Sequence, residues 1–173
     1  MRTLLLAAVP LTAVLLTACG APVAEPPVPQ AGPTATDLAF LELVIPQNES
    51  ALAVLELAGR REDSALRPVT DQVVTGYRTE LARARELLTR AGRQETDLHD
   101  GHDMPGMITA AELASIGDSR GSEFDQRLRT LLRTQFEEAR TVARAELSGG
   151  TSPPVLELGT RIERTRAEFL ALL

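Results

Sequence analysis

From Asp37 to the end of the chain, apolar side chains recur at intervals of three and four, the period of an amphipathic α-helix. The first run is Phe40, Leu41, Val44, Ile45, Leu52 and Leu55, opened by Asp37 as a cap and closed near Gly59. Pro46 lies inside it and removes one backbone donor, so a kink is expected there. After the charged turn Arg60-Arg61-Glu62-Asp63, Ser64 starts a second run with Pro68 in its first turn. Its stripe is Leu66, Val69, Val73, Tyr77, Leu81, Ala84 and Leu88, and Gly92 stops it. A polar, glycine-bearing stretch from Arg93 to Met107 follows, and Thr109 with Glu112 fits a capping box for one short helix. A third long helix is expected from about Ser122 to Leu147 on Phe124, Leu128, Leu131, Leu132, Val142 and Ala143, ended by Gly149-Gly150. Ser152-Pro153-Pro154 opens a fourth, carrying Val155, Leu158, Ile162, Phe169 and Leu172.

The pattern is written twice. At an offset of 88, Asp37 lies over Asp125, Phe40 over Leu128, Gln47 over Gln135, Glu49 over Glu137, Ala51 over Ala139 and Glu80 over Glu168. A repeat of that length is a helical hairpin, too long for a solenoid unit. Two hairpins, each with one wet and one dry face, pack most simply as an all-α four-helix bundle. The expected division is residues 37–173 as the bundle domain: hairpin 37–92, linker 93–121 and hairpin 122–173.

The residues ahead of the bundle differ in kind. Residues 1–18 carry Arg2, an apolar run from Leu4 to Leu16 and a small-residue end, which is the layout of a secretory signal. Leu16-Thr17-Ala18-Cys19 resembles a bacterial lipobox, which implies lipidation of Cys19 and retention at the extracytoplasmic face of the membrane. Within 19–36, five prolines between Ala21 and Thr36 read as an extended tether, reaching up to ~50 Å at ~3.1 Å per residue. Cys19 is the single cysteine, so an internal disulfide, a thiolate metal site and a cysteine nucleophile are excluded.

Composition narrows the function classes further. Acids outnumber bases 24 to 18 for a net charge of −6, and a net-negative chain is poorly suited to clamping nucleic-acid phosphates. Four Phe, one Tyr and no Trp leave little for base-stacking platforms. No GxSxG, Walker A, HExxH or dinucleotide fingerprint is present, and the adjacent pairs Glu62-Asp63 and Glu137-Glu138 point to different sides of a helix. The expectation is that the chain is not an enzyme. Arg78, Arg83, Arg85 and Arg90 alternate with Glu80 and Glu86, a mixed solvated face and not a basic stripe.

The segment Asp37-Leu-Ala-Phe-Leu-Glu-Leu-Val-Ile-Pro-Gln-Asn-Glu-Ser-Ala51 resembles the opening of the exported bacterial family called domain of unknown function 305, written there close to D-x-x-F-L-x-x-M-I-P-H-H-x-x-A. His102-Asp-Met-Pro-Gly-Met107 resembles that family's linker, and Phe124-Asp125 its second start. The resemblance covers Asp37 to Leu173. It implies a ferritin-like four-helix bundle, with metal, copper included, held in some members by paired histidines and methionines. Here the paired-histidine positions are Gln47 and Asn48 in the first half and Gln135 and Phe136 in the second. The methionines expected after Glu80 and Glu168 fall near Ala84 and Leu172. Amides are poor metal ligands beside imidazole, and Phe, Ala and Leu are none. The fold is therefore expected to carry over and the bundle's metal site is not.

Both histidines and two of the three methionines lie in one short run, His99, His102, Met104 and Met107. Imidazole with thioether suits Cu(I), and the interleaved Asp97, Asp100 and Asp103 could suit Cu(II) or Zn(II). The alternative is that Pro105-Gly106 is a turn, the methionines plug the bundle and the histidines are solvated remnants. Glu49, Glu137 and Glu138 lack any Glu-x-x-His partner, which argues against di-iron chemistry and for pairing with arginines on wet faces. Gln47, Asn48 and Gln135 could form a buried amide network, or line a pocket or a partner's surface. Two functions stay open: an anchored lipoprotein binding copper or another metal ion through its linker, and a metal-free module holding another envelope protein. Beyond copper no cofactor is expected, and the partners are the membrane, a metal ion or an envelope protein.

Overall fold

The computed structural model describes residues 32–96, 102 and 104–173. The signal, Cys19 and most of the tether lie outside the described residues, as do His99, Asp97, Asp100 and Asp103. Five helices follow one another: α1 (Ala35–Gly59), α2 (Arg67–Arg90), α3 (Ala110–Asp118), α4 (Gly121–Gly149) and α5 (Pro153–Leu172). No strand occurs among the described residues.

Local chemistry sets most of the boundaries. α1 begins two residues before the expected cap: Thr34 is the N-cap, and Asp37 sits at N3 of a reciprocal capping box. α2, by contrast, starts later than Ser64, at Arg67, with Pro68 in its first turn as expected. It ends as a Schellman motif, in which Arg93 N–H donates to Leu88 C=O at 3.1 Å and Gly92 N–H to Thr89 C=O at 2.9 Å. Gly92 takes φ +70° there, which favours glycine. Thr109 and Glu112 form the capping box that opens α3. Pro46 lies inside a helix assigned without interruption from Ala35 to Gly59.

The long helices pair as hairpins, α1 with α2 and α4 with α5, and the hairpins join through α1 on α4 and α2 on α5. Two aspartates fix the directions. Asp37 at the start of α1 accepts from Thr151 and Ser152 N–H in the α4–α5 turn, at 3.1 and 3.0 Å. Asp125 near the start of α4 accepts from Ser64 Oγ and Ala65 N–H in the α1–α2 turn, at 2.6 and 3.0 Å. Each hairpin thus grips the other's turn, α1 runs opposite to α4, and the 91–120 connection must return along the bundle. That is a four-helix bundle with one long crossover, the ferritin-like topology.

The dry interior is built from the expected stripes, with Leu41, Leu55, Leu88, Leu128, Leu132, Leu158 and Ile162 fully buried. Leu172 is the exception at 38% exposed. The repeat holds at 88 for α1 and α4 but not for α2 and α5. Glu80 is fully buried whereas Glu168 is largely exposed. The buried positions 70, 73, 77 and 80 of α2 match 159, 162, 166 and 169 of α5, an offset of 89. By length and composition α1 could cross a membrane, yet twelve of its residues are buried in the bundle, including Asp37, Gln47 and Asn48. It is the core helix of this fold.

Candidate functional site

Part of the linker docks on the bundle as a tight turn. Met104-Pro105-Gly106-Met107 closes with Met107 N–H donating to Met104 C=O at 2.9 Å. Proline stands second and glycine third with φ +77°, the arrangement that a type II turn requires. Four hydrogen bonds pin it to α1 and α4. Gln47 Nε2 donates to Pro105 C=O, and Gln135 Nε2 to Gly106 C=O at 3.2 Å. Gly106 N–H donates to Glu138 Oε2 at 2.6 Å, and Ile108 N–H to Ser50 Oγ at 3.0 Å. The glutamines are the two repeat-related positions, so both halves hold adjacent carbonyls of one turn. The contact is close enough that a Cβ on Gly106 would stand 2.7 Å from Gln47 Nε2.

This turn positions the remaining soft donors. Residues one and four of a β-turn have Cα atoms within about 7 Å, so Met104 and Met107 are neighbours. Both are half-buried, while His102 is exposed just ahead of them. No grouping of three or more His, Cys, Asp or Glu that could hold a metal occurs among the described residues. Of the expected linker donors the turn thus brings the backbones of Met104 and Met107 close, His102 lies exposed two residues ahead, and His99 is outside the described residues.

Beneath the turn lies a polar core. Arg166 and Glu80 are both fully buried and ion-paired, Arg166 Nη1 to Glu80 Oε2 at 2.8 Å. Arg166 Nη2 donates to Asn48 Oδ1 at 2.9 Å, and Thr165 Oγ1 donates to Glu80 Oε1 at 2.7 Å. The guanidinium carbon lies 3.5 Å from the centroid of the Tyr77 ring, a desolvated cation–π contact. Tyr77 OH donates to Gln135 Oε1, and burial pushes its pKa up against the opposing pull of Arg166. Tyr77, Phe136 and Phe169 form a triangle of rings with centroids 5.8–6.2 Å apart, Tyr77 and Phe169 stacked.

A metal in the bundle does not fit these residues. Of the four positions where the resemblance places ligands, Gln47 keeps one buried amide oxygen without a partner, a weak ligand on its own, and Gln135 spends its oxygen on Tyr77 OH. Asn48 spends its oxygen on Arg166, and Phe136 offers no donor atom. Arg166 already stands in their midst as the cation, and Glu80, the buried carboxylate there, is already paired with it. The linker does fit a soft ion, since thioether and imidazole are the donors Cu(I) prefers.

Sequence reasoning left burial of the amides as one alternative among several and missed the charges. Arg166 interrupts the apolar stripe between Ile162 and Phe169, and Glu80 interrupts that between Tyr77 and Ala84. Opposite charges on two dry stripes were the available signal. Glu49 pairs with Arg85 as expected. Glu138 instead takes a linker N–H, and Glu137 is exposed with no ion pair among the described residues. The arginines of α2 do form a mixed face, Arg78 with Glu56, and Arg83 and Arg90 with Glu86. A groove of about 750 Å³ between α3 and α4, lined by Ile116, Leu131, Glu112 and Arg127, lies apart from the turn and the polar core.

Comparison with functionally curated proteins finds no match. Among solved structures, a DUF305 fragment from Deinococcus radiodurans superposes with TM-score 0.74 at 17% identity, covering 82% of this chain and 95% of that one. A DUF305 protein from Streptomyces coelicolor, described as one expected to be secreted, gives 0.70 at 15% identity, covering 79% and 88%. These likenesses bear on the fold. The family pattern described as Domain of unknown function (DUF305) matches residues 33–172, nearly the whole described domain, and the chain belongs to that family.

Proposed function

We propose that this chain is a lipid-anchored module on the extracytoplasmic face of the membrane that captures a soft metal ion, copper(I) first, with its linker. The observation that carries the reading is the pinned turn. Four hydrogen bonds from two helices fix Pro105, Gly106 and Ile108, the backbone between and beside Met104 and Met107, and this supports a two-thioether site with the exposed His102 two residues ahead. A free loop would lose ordering entropy on wrapping an ion, whereas the turn that carries Met104 and Met107 has already lost it on folding. The signal and lipobox of residues 1–19 support the address, as does the relative expected to be secreted. A Cys19→Ser form should leave the membrane fraction, and its retention there would sink the anchoring.

A competitive titration of the mature protein with Cu(I) and Zn(II) tests the site. One Cu(I) per chain, lost in Met104→Leu/Met107→Leu and in His99→Ala/His102→Ala, supports the reading. Undiminished binding in both variants would refute it.

A second reading is favoured by the polar core. Arg166 and Glu80 neutralise each other inside the bundle, which leaves no uncompensated charge at this pair for an ion to balance. A titration with no binding at all would leave the chain as a metal-free module holding another envelope protein.

A further inference from the structure

At the end of the bundle where α1 begins, two carboxyl groups meet with nothing positive between them. Asp37 on α1 and Glu146 in the last turns of α4 are 0% and 1% exposed. They converge on Gly150: a Cβ there would overlap Glu146 Oε1 and stand 2.9 Å from Asp37 Oδ1. Asp37 accepts from four donors, Thr34 N–H and Oγ1 at 2.6 and 2.5 Å on Oδ2, and Thr151 and Ser152 N–H on Oδ1. Glu146 has no donor on either oxygen, and its stem lies against Gly159 of α5. Asp37 is the charged group that acts on it. Nearby cations are engaged elsewhere, Arg93 with Glu42 and Arg140 and Arg144 with Glu163.

We propose that Asp37 and Glu146 form a proton-closed clasp, in which a protonated Glu146 donates to the Asp37 carboxylate and locks the root of the tether to the α4–α5 turn. The four donors around Asp37 suit an anion and oppose a metal ion, so the group that joins the two carboxyls is a proton. The carbonyl end of α4 adds a second reason for Glu146 to stay neutral, since it disfavours negative charge in the last turns. The charge states follow. Burial, then the hydrogen bond and charge of Asp37, push Glu146 up to about 7. Burial works to raise Asp37 too, but its bonds from Thr34 and Ser152 outweigh it and hold it at about 2. As the pH rises from the ordinary glutamate value of 4.5 toward 7, closing the clasp loses its advantage, and above 7 the closed form carries two adjacent charges. Thr34 and Asp37 bridge the tether to α1, so this end of the domain tightens in acid and loosens at neutral pH.

Hydrogen exchange of the full-length protein tests the clasp at residues 34–41 and 146–155, between about pH 4.5 and 8 and corrected for the intrinsic rate. Protection there should fall about tenfold per pH unit up to about 7 and then level off. Glu146→Gln, whose amide still donates to Asp37, should show no such fall. A pH-independent wild type, or the same fall in the variant, overturns the proposal. Infrared spectra of the wild type decide the matter even if the variant fails to fold. At about pH 6, where exposed carboxyls are ionised, one protonated carboxyl band should persist and vanish with a midpoint near 7. Its absence overturns the proposal.

Discussion

Removing either partner of the buried Arg166–Glu80 pair should be far more damaging than removing both. The two groups are fully buried 2.8 Å apart, and the remaining bonds, Thr165 to Glu80 and Arg166 to Asn48, cannot neutralise a charge left alone. Leaving one ion uncompensated in such a site costs about 3–5 kcal/mol. A domain of this size has about 5–15 kcal/mol in total, so Arg166→Met or Glu80→Gln should lower Tm by roughly 10–15 °C. The combination Glu80→Gln/Arg166→Met removes both charges and keeps similar volumes, so it should recover about half or more of the loss of the worse single variant. Arg166→Lys should not rescue, because an ammonium cannot reach Glu80 and Asn48 together while stacking on Tyr77. The assay is chemical denaturation of the four proteins analysed as a double-mutant cycle. Single losses below about 1 kcal/mol that simply add in the double variant would refute the claim that this pair is the core's internal counter-charge.

Two further outcomes are expected. Gly106→Ala places a Cβ where φ is +77° and Gln47 Nε2 stands 2.7 Å away, so it should cost about 1–2 kcal/mol in denaturant melts and weaken Cu(I) capture; wild-type behaviour would mean that the turn is not pinned as described. Global stability should peak near pH 4–4.5. It should decline in acid as Asp37 protonates on its way to about 2. It should also fall on the neutral side by about 2–3 kcal/mol between 4.5 and 7, because folded Glu146 holds a proton that the unfolded chain has released. Thermal melts that show a plateau from pH 4 to 8 would contradict this.

The fold was legible because its information is local and repeated. The stripes of α1, α2, α4 and α5, the Thr109–Glu112 capping box and the Gly149-Gly150 stop each announce themselves within a few residues. The amides at 47, 48 and 135 could be read as buried, as one alternative among several. What they bind could not, because Pro105 and Gly106 are 58 and 29 residues away from their partners Gln47 and Gln135. The repeat itself misled at Glu80. A one-residue difference between hairpins, invisible in a fixed-offset comparison, rotates α5 so that Arg166 faces inward and Glu168 outward. Asp37 was legible as a helix-start residue but not as an acceptor for Thr151 and Ser152 across the domain.

The reciprocal grip of Asp37 and Asp125 bears on how the domain assembles. Each hairpin can form from contacts near in sequence, which are the fast ones. Docking then needs only that each half find the other's turn, and the two recognitions are equivalent. The halves are therefore pieces that recognise each other, and the long connection raises their effective concentration without dictating their geometry. Fragments cut within the linker should recombine into the same bundle. Two copies of the chain held close on a membrane should be able to exchange hairpins, each aspartate closing on a neighbour's turn in place of its own.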